Sequence, residues 1–298
     1  MMMSEATAIS PPKFGDYLEL TKPRLSLLSV LTALVGYSAA RPALDGWRIG
    51  AVVVGTSLAA GGVAALNQWL ERDTDARMKR TADRPIPTGK VPDGSAFVLG
   101  VLMCTAALFL LFARVNPLSA MFTLLTIISY LGWYTPAKRW SRWSTEIGAI
   151  AGAFPPLIGW AAGEGRVTAL GWILFGVLFF WQIPHFMAVA WTYRRDYSTV
   201  DFPMLPVRDE SGRWVAAWSL VTTLCLVAVS VLPTVLGLAS RYYLAAAVGC
   251  GAWFLWRAVL FLRAEGRDLA ARKLFLASIA YLPLVLIALV ADRLIFTP

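Results

Sequence analysis

IGAVVVGTSLAAGGVAALNQWLERDTDARMKRTADRPIPTGKV, residues 49–91, leaves an apolar phase for water part-way along one helix. Residues 49–70 carry no charged side chain. As a helix rising about 1.5 Å per residue they are long enough to cross a hydrocarbon core of roughly 30 Å. Lipid offers a backbone no hydrogen bonds, so only helices or closed barrels cross it. The run is continuously apolar with no period-two alternation, which selects the helix. From Glu71 onward charges crowd in, and Pro85 and Pro87 end any helix that has continued past the membrane edge.

Further runs of the same character lie at 25–40, 95–113, 117–134, 147–163, 168–192, 215–237, 242–262 and 274–296. The 298 residues are 58% hydrophobic and 15% charged, against about 25% charged in soluble domains. The expected fold is therefore an all-α integral membrane protein of about nine transmembrane helices. It is one membrane domain over 1–298, with an N-terminal cytoplasmic segment at 1–20 and charged cytoplasmic loops at 67–94 and 193–214. The net charge of +9 does not mark a nucleic-acid binder, because the basic residues fill the gaps between runs rather than an amphipathic face.

With the N-terminus in the cytoplasm, 21 of the 27 Lys and Arg residues fall on that side. This is the positive-inside pattern; it favours an odd number of spans and puts the C-terminus outside. Acidic residues join the basic ones in the loops after the second and sixth runs, the spacing a duplicated four-helix unit would leave. Cys104, Cys225 and Cys250 sit singly in separate runs, so neither a disulfide nor a zinc site is expected. Residues 1–24 hold acids as well as Lys13 and make a poor cleavable signal or transit peptide.

Chemistry concentrates where residues 49–91 turn polar. Asn67, Glu71 and Asp75 are four apart, so on a helix they drift only about 40° per step and form one oxygen-rich face. Hard oxygen ligands in a row suit Mg²⁺, which binds through a few carboxylates together with substrate phosphates. Arg77, Arg80 and Arg84 follow at spacings of three and four and bring bidentate phosphate donors beside that face. A solvated loop of topology charges and helix ion pairs is the plainer alternative. Against it stands an acidic row that begins at the membrane edge.

A second segment, WQIPHFMAVAWTYRRDYSTVDFPMLPV at 181–207, holds the chain's one histidine. His185 is either a packed core residue or a functional group able to ligate haem iron or orient a propionate. Asp196 and Asp201 follow five apart, with Tyr193 and Tyr197 nearby.

The 67–91 segment resembles the first aspartate-rich motif of the UbiA prenyltransferase superfamily, Asn-x-x-x-Asp-x-x-x-Asp, with Glu71 in the middle position. The MKRT, DRP and PTG pieces, WQIPHF and PMLPV are similar to its haem-farnesylating branch, as are TKPR at 21–24, YTPAKR at 134–139 and GAFPPLIGW at 152–160. The likeness covers residues 15–207, and the last three spans match in hydropathy alone. It implies a UbiA-type helical bundle that transfers a farnesyl group from farnesyl diphosphate to a vinyl group of haem b, giving haem O and releasing diphosphate. By the same likeness Asn67, Glu71 and Asp75 hold Mg²⁺, and Arg77, Arg80, Arg84, Arg24, Lys138 and Arg139 contact diphosphate. His185 falls to the haem side. The second loop departs from the superfamily's Asp-x-x-x-Asp, which argues against a second carboxylate-bound Mg²⁺ and leaves Tyr193, Asp196 and Tyr197 as its candidates, with Asp201 a loop residue. The implied setting is a bacterial inner membrane in preference to an organellar one, with a haem A synthase or a terminal oxidase assembly as partner.

Other readings stay open from sequence alone. A transferase acting on an aromatic quinone precursor would keep the first motif but has no evident need for His185. A transporter would carry its ionisable groups at mid-membrane rather than gathered at one face. A non-catalytic haem-binding assembly factor would leave the acidic row idle.

Overall fold

The computed structural model describes residues 11–296, so residues 1–10 of the expected N-terminal segment lie outside the described residues. Its helices are α1 (Phe14–Leu20), α2 (Pro23–Ala40), α3 (Gly46–Asp75), α4 (Asp93–Arg114), α5 (Pro117–Ile128) and α6 (Thr135–Ala137). They continue with α7 (Ser144–Ala153), α8 (Pro155–Glu164), α9 (Ala169–Thr192), α10 (Arg194–Ser198) and α11 (Leu205–Arg208). The last three are α12 (Arg213–Val235), α13 (Arg241–Phe261) and α14 (Arg267–Ile295). A π-helical stretch, Ser129–Tyr134, joins α5 to α6. Among the described residues all regular structure is helical, as the apolar runs require.

Eight segments are long and apolar enough to cross a membrane: α2, α3, α4, the α5–α6 unit, α9, α12, α13 and α14. The fifth apolar run departs from expectation. Instead of one helix it forms two helices of 10 residues each, α7 and α8, broken at Phe154. The cause is Pro155-Pro156: neither residue has an N–H for the ladder of α7, and proline is at home in the first turn of a new helix.

Side-chain links at both ends of the broken pair show that it still runs from one face of the bundle to the other. Near its start, Trp218 Nε1 at the beginning of α12 donates to Glu146 Oε1 at 2.6 Å. Near its end, Asn116 Nδ2 in the α4–α5 turn donates to the Ala161 carbonyl at 2.7 Å, and Ser119 Oγ to the Ile158 carbonyl at 3.0 Å. The described chain thus traverses nine times, once discontinuously. The closing helix ends opposite to where α2 begins, because Arg293 Nε reaches the Ala39 carbonyl at the far end of α2 (3.2 Å).

Lipid gives helices no hydrophobic reason to associate, so close packing through small residues has to supply it. At the α2–α8 crossing a Cβ on Gly159 would lie 1.7 Å from the Ala33 carbonyl oxygen, and one on Gly36 2.0 Å from that of Pro156. The two backbones therefore touch directly. Elsewhere α3 packs along α4, and α9 lies between α7, α12 and α14. Trp160, Leu174, Trp181, Phe254 and Tyr281 fill the largest buried cluster, while Leu102, Phe109 and Ile287 point outward from the bundle. The three cysteines are free.

Because the basic loops gather at the face where α3 ends, that face is expected in the cytoplasm. In a cysteine-free background, reporters at Asp73 and Ser198 should react only with membrane-permeant maleimide, and one at Leu44 with an impermeant reagent added outside. Outside labelling of Asp73 or Ser198 reporters would contradict this orientation.

Candidate active site

α3 runs 30 residues and keeps its helical geometry to Asp75, which carries all three motif residues on one buried face. Asn67, Glu71 and Asp75 are 2%, 4% and 0% exposed. They look towards the π-helical stretch at the end of α5. Its wider turn is a recurrent device at functional sites, and here it presents Tyr134, Thr135 and Lys138 to α3. Asn67 Nδ2 donates to Thr135 Oγ1 at 3.2 Å. Lys138 Nζ, 4.5 Å from the centre of the Tyr134 ring, donates to both oxygens of Glu71 at 2.8 and 3.1 Å. Arg84, returned by the loop that Pro85 and Pro87 shape, donates to Asp75 Oδ2 at 2.5 Å. Burial opposes the charge on Lys138, but the Glu71 carboxylate outweighs it and holds the ammonium above the usual lysine range.

The row suits a hard cation. Asp75 Oδ1 is buried with no hydrogen-bond partner, so an anionic oxygen is already desolvated beside Glu71 and Asn67. Such a group is costly unless something positive completes it.

Lys22 joins this cluster and is a residue that motif reasoning passed over. It shares its electrostatic surroundings with Arg84, Lys138, Glu71 and Asp75, and burial beside those two cations lowers its pKa from 10.5 to about 7. Its backbone is left-handed, with φ 45°, a conformation that costs a non-glycine residue on the order of 1–3 kcal/mol. Pro23 behind it and Gln68 Nε2, which donates to the Leu20 carbonyl at 2.8 Å, fix that turn. The signal for Lys22 in the sequence is the TKPR motif, where the family resemblance implies Arg24 as the phosphate contact. Arg24 instead is exposed and lies outside the ion-paired cluster. Arg139 braces the end of α3 by donating to the Leu70 carbonyl at 3.1 Å.

The second charged loop closes over the first. Asp196 accepts from the backbone N–H groups of Lys79 and Arg80, at 2.9 and 3.3 Å. The Arg80 guanidinium lies over the rings of Tyr193 and Tyr197, 5.8 and 5.4 Å from their centres, and donates to Tyr197 Oη at 3.2 Å. Arg77 donates to the Thr199 carbonyl at 3.2 Å, and Met78 packs with Val200, Phe202 and Met204. Of the three loop arginines only Arg84 reaches the acidic row; Arg77 and Arg80 zip the loops together. Asp201 is an exposed loop residue with φ 54°.

His185 stands apart from the row, half-buried on α9 against α14. Its ring stacks on Trp181 with centres 4.8 Å apart, and Nδ1 lies 2.7 Å from Ser278 Oγ. Pro184 sits inside α9 without ending it.

This architecture, a membrane helical bundle with a buried, cation-compensated acidic row under two interlocked loops, defines a class. Residues 29–279 match the UbiA prenyltransferase family, and the chain belongs to that family. It is 73% identical to the protoheme IX farnesyltransferase of Opitutus terrae over 97% of this chain and 98% of that one. The protein of the same name in Solibacter usitatus is 41% identical, with 93% and 98% covered. Among solved structures, a digeranylgeranylglyceryl phosphate synthase superposes with a TM-score of 0.80 at 17% identity, over 94% of this chain and 98% of its own. A UbiA homologue from Archaeoglobus fulgidus bound to GPP and Mg²⁺ gives 0.66 at 14%, over 92% and 99%. At such identities these two speak for the fold.

Lys22 yields a pH prediction. With its pKa near 7 the side chain is largely neutral at about pH 8.5. A diphosphate beside it would raise that pKa back towards 10.5. Binding should then take up a proton, and affinity should fall as pH rises from about 7 to 10. Calorimetry in two buffers of different ionisation enthalpy should show this uptake, and Lys22→Gln should reduce it; identical uptake in the variant would remove Lys22 from the site.

Proposed function

We propose that this membrane protein transfers a farnesyl group from farnesyl diphosphate to a vinyl group of haem b, forming haem O and diphosphate. The carrying observation is the buried row of Glu71 and Asp75, each held by one cation, Lys138 and Arg84, with Lys22 alongside. Such a site suits a polyanion that arrives with a hard metal. The name shared by the relatives supplies the acceptor.

The hard step is heterolysis of the allylic C–O bond. Its electron pair leaves with diphosphate, and the vinyl carbon of haem attacks the farnesyl carbon. Water then adds to the carbon beside the porphyrin and loses a proton, completing a hydroxyethylfarnesyl group. Lys22, Lys138 and Arg84 would draw the diphosphate to the end of α3 and stabilise charge as it develops on the leaving oxygens. Asn67, Glu71 and Asp75 would hold Mg²⁺, which when bound neutralises diphosphate charge as a Lewis acid. Tyr134, on the π-helical turn, lies against Lys138, and the second loop paired to the first would limit water access to the row. His185 would serve the haem.

The same reading places the protein in a bacterial cytoplasmic membrane with the loops inside. A haem A synthase or an oxidase assembly is the consumer that such a product calls for.

Purified protein with haem b, farnesyl diphosphate and Mg²⁺ should yield haem whose extracted mass has gained one farnesyl group and one hydroxyl group. Asn67→Ala, Glu71→Ala and Asp75→Ala should each impair this turnover, and Arg84→Ala should weaken farnesyl diphosphate binding by about 1.5–3 kcal/mol with haem binding kept. Unaltered haem in the wild-type reaction, or normal turnover in all three row variants at limiting Mg²⁺, would contradict the proposal.

A further inference from the structure

His185 has two ring nitrogens, and the structure determines which of them carries the hydrogen. Nδ1 is 2.7 Å from Ser278 Oγ. The same oxygen is 2.6 Å from the carbonyl oxygen of Phe275, one helical turn back on α14. A carbonyl oxygen can only accept, so the single hydroxyl hydrogen of Ser278 is committed to Phe275. Ser278 Oγ is left with lone pairs for the imidazole. Nδ1 must therefore be the donor, and in the neutral ring Nε2 is a bare lone pair.

The serine is itself fixed. It is fully buried, and its backbone carbonyl accepts from Trp181 Nε1 at 2.7 Å, the indole that stacks on the imidazole. Phe275 and Phe186 supply the other walls, with ring centres 5.0 and 5.1 Å from that of His185. The opposite tautomer would set two lone pairs against each other across the 2.7 Å contact. An imidazolium would stand among three aromatic rings with no carboxylate paired to it among the described residues.

We propose that Ser278 is a positioning residue that locks His185 in the Nδ1–H form, so that the imidazole meets the haem acceptor as an iron ligand through Nε2 rather than as a hydrogen-bond donor to a propionate. This deepens the reading of the chain as a haem farnesyltransferase and rests on it. A ligating histidine whose other nitrogen donates to a fixed acceptor is held in orientation and made more basic, and loss of that acceptor usually costs about 10–100-fold in metal affinity.

The test titrates haem b into the full-length protein as wild type, His185→Ala, Ser278→Ala and Ser278→Thr. Absorption and resonance Raman spectra are recorded, and farnesyl diphosphate affinity in each variant certifies the fold. Wild type should show an imidazole-ligated iron, and His185→Ala should lose that ligand and regain it with added imidazole. Ser278→Ala should keep the ligand but bind haem about 10–100-fold more weakly, with the iron–imidazole vibration at lower frequency. Ser278→Thr, which keeps the oxygen, should restore both. Identical iron ligation in wild type and His185→Ala overturns the proposal, as does a Ser278→Ala protein matching wild type in affinity and vibrational frequency. If either occurs while wild type still makes farnesylated haem, the enzymatic reading stands and the role of Ser278 falls; no haem binding by wild type removes both.

Discussion

Two carboxylates at the edge of a hydrocarbon core must be compensated, and much of the structure around the site follows from that requirement. Removing one partner of a buried ion pair typically costs about 3–5 kcal/mol. Glu71 and Asp75 are each given a dedicated cation, and each cation comes from an element shaped to deliver it. Lys138 arrives through the π-helical turn that ends α5. Arg84 returns on a proline-punctuated loop after α3 has run its full 30 residues. In the proposed function the same ammonium and guanidinium groups would be shared with a phosphate while the acidic oxygens turned to a metal. One compensated cluster is thus a stabilising network in its own right, and on the proposed function it would double as a set of ligands.

The two charged loops are joined to each other by several side-chain contacts. Asp196 uses both oxygens on backbone N–H groups of the first loop, and two tyrosines hold Arg80. These contacts are exposed and individually weak, since surface ion and hydrogen-bond pairs contribute about 0–1 kcal/mol. The buried packing of Met78 with Val200, Phe202 and Met204 adds an apolar contact between the same two loops.

Much of this was legible in the residues. Unbroken apolar runs, the bias of basic residues and the four-residue spacing of Asn67, Glu71 and Asp75 are local signals, and they located the helices, the charged face and the acidic row. What escaped depended on contacts between distant segments. Pro155-Pro156 could be read as a kink, but whether the halves of the fifth run stay together is decided by α2 and Trp218 packing against them. Arg24 and Lys22 are two residues apart, and only the fold tells which of them shares the electrostatic surroundings of the row. Arg77, Arg80 and Arg84 read alike in sequence, yet the second loop claims two and leaves the third to the row. Ser278 carries no motif at all; its meaning comes from a histidine 93 residues earlier.

Binding of a non-reactive farnesyl diphosphate analogue with and without Mg²⁺ tests most directly whether the buried row is a joint site for metal and diphosphate. Wild type should bind the analogue markedly more tightly when Mg²⁺ is present, and that gain should vanish in Glu71→Gln and Asp75→Asn proteins. Equal affinity with and without Mg²⁺ in the wild type, or an undiminished gain in both variants, would contradict the account.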